Sequence, residues 1–93
     1  MSFDYKNLDL VIDVRRAFEY EIRHIEGAKN ISYEFTDFAR EVENFDKDGH
    51  YIAYCNYGGR GGKAAELMRQ LGFKNVAGMG IEDVRQKTGK SIV

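Results

Sequence analysis

The chain has 93 residues, room for one domain and one modest core. Apolar residues make up 43% of it, enough for a folded globule, and a net charge of −1 gives no case for general attraction to nucleic acid or membrane. A single cysteine excludes an internal disulfide and a cysteine-rich zinc site, and a free thiol fits a reducing compartment.

The first ten residues, MSFDYKNLDL, lack a basic segment followed by an apolar run, so no secretory signal is expected. No apolar run has the length of a bilayer span, and the expected location is cytoplasmic. Charge divides unevenly: residues 1–50 carry 7 Lys and Arg against 12 Asp and Glu, while residues 51–93 carry 7 against 3. The basic half holds the cysteine, which suits an anionic substrate as well as a solvated surface bias.

LDLVID (8–13) reads as a buried strand, and RRAFEYEIRH (15–24) as a short helix with Phe18 and Ile22 on one face. KNIS (29–32) is a candidate short strand. Residues 33–45 place Phe35, Phe38, Val42 and Phe45 at helical spacing, with Ser32 as the cap and the aromatic stripe as core. DKDG (46–49) is a turn, with His50 exposed beside it, and YIAY (51–54) is a strand ending at Cys55. Residues 62–72 predict a helix with Ala64, Leu67, Met68 and Leu71 as its stripe and Gly72 as its stop. KNVAG (74–78) predicts a last strand and residues 81–89 a last helix closed by Gly89; SIV is too short to assign. Strands alternating with helices predict a single-domain α/β protein over 1–93, with a mainly parallel central sheet flanked by helices on both faces. Ligands of such sheets sit beyond the carboxyl ends of the strands, where Cys55 falls.

CNYGGRGG (55–62) surrounds that cysteine with four glycines and one arginine. Glycines admit left-handed backbone, so successive N–H groups can converge on one point, and the following helix adds its positive end. With Arg60 as a fixed cation, a thiol held there is expected to ionise more easily than a free cysteine. The bland alternative is a tight turn around a buried, inert cysteine.

Residues 11–32, VIDVRRAFEYEIRHIEGAKNIS, resemble the first signature of rhodanese-like domains at Asp13, Arg15, Glu19, His24, Ile25, Gly27 and Ala28. CNYGGR is similar to the family's six-residue active loop, with Cys55 first, Gly58 fourth and Arg60 last, and residues 64–84 resemble its closing helix, strand and glycine turn. The chain departs from the family where Gly61 replaces a common serine or threonine, Glu26 a proline, Val84 a tryptophan and Met79 one glycine of a pair.

The resemblance implies a sulfurtransferase. Cys55 would take the outer sulfur of a donor such as thiosulfate and pass it from a persulfide to cyanide or a thiol. The amides from Asn56 through Tyr57, Gly58 and Gly59 to Gly61 would cradle the persulfide, and Arg60 would attract the donor. No metal or organic cofactor is implied. The implied partners are the small anionic donor, the acceptor, and a redox or sulfur-relay protein, with neither nucleic acid nor membrane. The alternatives are a non-enzymatic sulfur carrier or interaction module, and a phosphatase or arsenate-reductase-like enzyme. The related phosphatase loop has five residues between cysteine and arginine, whereas four intervene here. Asp13 and Arg15 are expected to form a loop-ordering ion pair, and His24 a structural hydrogen bond rather than a base for Cys55. Tyr57 would wall the entrance or simply stand exposed.

Overall fold

Successive residues of the 51–55 segment are buried on opposite sides of one sheet. Tyr51, Ala53 and Cys55 join one apolar cluster, and Ile52 and Tyr54 join the other. A strand apolar on both faces must be covered on both, which is the pattern of parallel sheets in α/β folds. The computed structural model has that architecture and describes residues 3–93; the first two residues of the expected 1–93 domain lie outside the described residues.

The elements in chain order are β1 (Leu10–Asp13), α1 (Ala17–Ile22), β2 (Lys29–Asn30), α2 (Phe38–Val42), β3 (His50–Cys55), α3 (Gly59–Gln70), β4 (Asn75–Gly80) and α4 (Ile81–Thr88). The four strands form one parallel sheet in the order β2-β1-β3-β4. Phe38 and Val42 of α2 and Ala64, Ala65 and Met68 of α3 cover one face. Ile81 and Val84 of α4, with Ile25 and Ala28, cover the other. Gly72 and Gly89 take the left-handed backbone (φ +99° and +76°) that ends α3 and α4, as expected. No helix among the described residues is long and apolar enough to cross a membrane.

Two helices are shorter than their periodicity predicts. The 15–24 helix forms only over Ala17–Ile22, and its Phe18 and Ile22 are exposed; Tyr20 packs inward instead. Of the 33–45 helix only Phe38–Val42 forms. Asp37 caps it by accepting from the Arg40 amide, while Ser32 Oγ accepts from Phe35 N in a separate turn. Phe35 is thereby left 67% exposed, outside the expected stripe. Conversely, α3 starts at Gly59 rather than 62, and Ala65 rather than Leu71 completes its buried face. His50 opens β3 rather than lying in a turn. The unassigned SIV tail pairs with the chain near His24: Ile92 bridges Ile25 in antiparallel fashion, and His24 and Val93 exchange both backbone hydrogen bonds.

Candidate active site

In this strand order the chain steps outward from β1 in both directions, so the topological switch point lies between β1 and β3. Asp13 ends β1 and Cys55 ends β3, and Asp13 is the register partner of Tyr54. The candidate residues therefore meet at the position where open α/β sheets bind ligands.

Cys55 is 2% exposed, with the α2/α3 core on one side and the loop on the other. The Gly58 N–H donates to its Sγ at 3.0 Å. Gly58 has φ +108°, a conformation that glycine adopts without strain, and this turn starts α3 immediately. The first-turn amides of α3 have no intrahelical acceptors, and the helix directs its positive end at the loop. The expected ring of amides is therefore only partly formed: among the described residues, Gly58 is the one amide hydrogen-bonded to the sulfur.

Close backbone contact fixes the loop's height above the sheet. A Cβ on Gly61 would lie 2.7 Å from the Ala53 carbonyl oxygen, and one on Gly80 would lie 2.8 Å from that of Asn56. The serine or threonine common at position 61 has no room here without a backbone shift. Met79, between Gly78 and Gly80, faces the opposite cluster together with the fully buried Val84.

A polar network ties the loop to β1. Arg15 Nε and Nη2 donate to the Asp13 carboxylate at 2.7–3.1 Å, and both residues are buried. Tyr54 OH donates to Asp13 Oδ2 at 2.7 Å and accepts from the Ile25 amide at 3.0 Å. Burial, and then the neighbouring Asp13, push the Tyr54 hydroxyl well above the usual tyrosine range, so it remains a donor. Burial works against the Arg15 charge, but the Asp13 hydrogen bonds and charge hold its pKa above the ordinary value. Arg15 Nη1 donates to Asn56 Oδ1 at 2.9 Å, and Asn56 Nδ2 donates to Glu19 Oε2 at 2.8 Å. The expected Asp13–Arg15 pair thus reaches the loop through Asn56.

Arg60, expected as a fixed cation beside the thiol, is paired with two carboxylates. It donates to both oxygens of Glu19, at 2.7 and 3.1 Å, and to Glu34 at 3.3 Å. The hydrogen bonds from Arg60, and next the Arg16 amide, pull the Glu19 carboxyl down to about 2 against the opposing effect of burial. The Glu19 hydrogen bonds in turn raise Arg60. His24 Nδ1 donates to the Tyr20 carbonyl at 2.8 Å, and its ring stacks on the Tyr20 ring. Tyr57 is 98% exposed and lines the cleft on the α4 side of the loop. Clefts flank the loop on both sides, one of about 320 Å³ lined by Arg16, Phe18, Glu19, Glu34 and Arg60, the other of about 340 Å³ lined by Asn56, Tyr57, Arg23 and the start of α4. Neither has Cys55 in its lining.

Sequence reasoning missed Tyr54 and Glu34. Tyr54 reads as one more apolar strand residue, and its partners lie 29 and 41 positions away. Glu34 sits inside the helix that does not form, 26 positions from Arg60.

A family model described as "Rhodanese-like domain" matches residues 3–86. The chain is 38% identical over 79 residues to "Protein HIGH ARSENIC CONTENT 1, mitochondrial" of Arabidopsis thaliana, covering 74% of this chain and 47% of that protein. It is also 38% identical over 71 residues to the tRNA uridine(34) hydroxylase of Sodalis glossinidius, covering 72% of this chain and 20% of that protein. The chain thus spans about half or less of the length of these curated relatives. Among solved structures, "rhodanese with anions from E. coli" superposes with a TM-score of 0.76 at 29% identity, covering 90% of this chain and 95% of that one.

Proposed function

The chain belongs to the rhodanese-like family, and from that premise we propose that it is a sulfurtransferase that carries sulfane sulfur on Cys55. The observation that carries the reading is the Gly58 N–H donated to the Cys55 sulfur, at the carboxyl end of β3 and the start of α3. A donor held at a helix start brings negative charge to the positive end of a dipole.

The Cys55 thiolate attacks the outer sulfur of a donor such as thiosulfate. A new S–S bond forms, the donor's S–S bond breaks, and sulfite leaves with the bonding pair. The persulfide adds one S–S length, about 2 Å, to the reach of an enclosed side chain. Cyanide or a thiolate then attacks the terminal sulfur and leaves as thiocyanate or a persulfide, and the Cys55 thiolate returns. Electrons and atoms balance with no further reagent. The Gly58 amide, already at the sulfur, steadies the charge on it. The solved E. coli rhodanese with anions supports an anionic donor. A relay in which a protein thiol is the acceptor, working in a reducing compartment such as the cytoplasm, fits the same chemistry.

A second reading has one observation in its favour, the Arabidopsis relative named for arsenic content. The same thiol would then serve arsenate reduction, with an added thiol as reductant.

Thiosulfate and cyanide supplied together test the first reading. Thiocyanate formation and a mass gain of one sulfur, both lost in Cys55→Ser, are expected. A mass gain without turnover would make the domain a carrier. No mass gain, with arsenite formed from arsenate and a thiol, would replace the sulfur reading with the second; aryl phosphate hydrolysis would point to a phosphatase.

A further inference from the structure

An anionic donor has to meet a loop whose arginine is already paired. The two carboxylates on Arg60 are held very differently. Glu19 accepts four hydrogen bonds, two from Arg60, one from the Arg16 amide and one from Asn56, and its side chain is 16% exposed. It belongs to the scaffold. Glu34 is 38% exposed, and a single oxygen, Oε1, faces two guanidiniums: Arg60 Nη1 at 3.3 Å and Arg16 Nε at 3.8 Å. An exposed pair with such loose geometry is weakly held. Arg16 lies over the Phe35 ring, 4.7 Å from its centroid, which keeps its guanidinium at the cleft.

The cleft between Arg16 and Arg60 is also the better approach for an anion. The opposite cleft is lined by Arg23, which pairs with Glu82 at 4.0 Å, and by Asp83 as well, an acidic balance. On the Arg16 side, removing Glu34 would leave two guanidiniums against one committed carboxylate.

We propose that Glu34 is a specificity-determining residue: its carboxylate stands where the anionic head of a sulfur donor binds, and a donor enters by displacing it from Arg16 and Arg60. The inference rests on the sulfur-transfer reading for the identity of the donor. An oxyanion with several charged oxygens, such as the sulfonate end of thiosulfate, can bridge both guanidiniums and outcompete one carboxylate oxygen. A neutral donor cannot. Glu34 therefore selects for multiply charged oxyanions by making weaker anions compete with a resident one.

The test uses the intact chain and two anions. Sulfate, which carries no transferable sulfur, is titrated calorimetrically into the wild type, Glu34→Gln and Arg16→Gln, and KM for thiosulfate is measured with cyanide as acceptor. In Glu34→Gln, the sulfate Kd and the thiosulfate KM should each fall about threefold, the scale of an exposed charge pair. In Arg16→Gln both should rise by about the same factor. Glu34→Ser should move in the same direction as Glu34→Gln, which guards against a fault peculiar to glutamine. Unchanged or weaker sulfate binding in both Glu34 variants, or no sulfate binding by any form, overturns the proposal even where turnover is strong. Tighter sulfate binding with no sulfur transfer would instead sink the sulfur reading and leave the Glu34 assignment standing.

Discussion

Gly61 of α3 and Gly78 of β4 touch backbone to backbone: a Cβ on Gly78 would come within 2.5 Å of the Gly61 carbonyl oxygen. The start of α3, and with it the Cys55 loop, rests on the sheet at a height that only side-chain-free positions permit. Gly78→Ala should destabilise the protein by about 1–3 kcal/mol, the usual cost of forcing extra volume into a packed contact. It should also slow sulfur loading, because the helix start must lift. Thermal melts and mass spectrometry of thiosulfate-treated protein check both. A variant with the wild-type melting temperature would show that the contact relaxes freely.

Tyr54 supplies one hydrogen bond to buried Asp13 and satisfies the buried Ile25 amide. Tyr54→Phe removes both while keeping the ring. We expect a loss of about 1–3 kcal/mol in denaturant unfolding, the cost of leaving such a group unpaired. Asp13→Ala should cost more, about 3–5 kcal/mol, because it strands the Arg15 charge in the interior. If the two variants proved equally stable, the network would be mere packing.

Glu19 gives the protein an acid-sensitive contact. Its folded pKa lies near 2, below the ordinary 4.5, so the folded state holds the charged form more firmly. That contribution is complete above pH 4.5 and is lost as pH falls from there toward 2. Stability measured across this window should decline in the wild type and decline less steeply in Glu19→Gln. Parallel curves for the two proteins would remove Glu19 from the acid response.

Arg60 joins the loop to Glu19 and Glu34, and replacing it breaks both links at once. Arg60→Ala should slow sulfur loading about tenfold, the scale of one lost charge-assisted hydrogen bond. Single-turnover loading with thiosulfate measures this. An unaltered loading rate would leave Arg60 a structural brace alone.

Much of the architecture was legible in the residues. Short apolar runs marked the strands, glycines at 72 and 89 marked the helix stops, and the glycine-rich loop marked the carboxyl end of β3. What local pattern could not show was the partner of each polar group. Glu19 and Arg60 are 41 positions apart, as are Arg15 and Asn56, and only the sheet order brings them together. Helical spacing also misled at Phe18, Ile22 and Phe35. Periodicity measures what a helix could bury, whereas α1 turns Glu19 and Tyr20 toward the protein and the 31–37 segment spends its hydrogen bonds on the end of β1 and on local turns.

Tyr54 and Cys55 are neighbours in the chain but belong to opposite sides of the sheet. In the proposed sulfur transfer, cargo attached at position 55 therefore bears first on the side of the sheet covered by α2 and α3. The Asp13–Tyr54 framework behind it and the α4 layer beyond can keep one shape whether the thiol is empty or charged, so the molecule can cycle between the two forms without remaking its foundation.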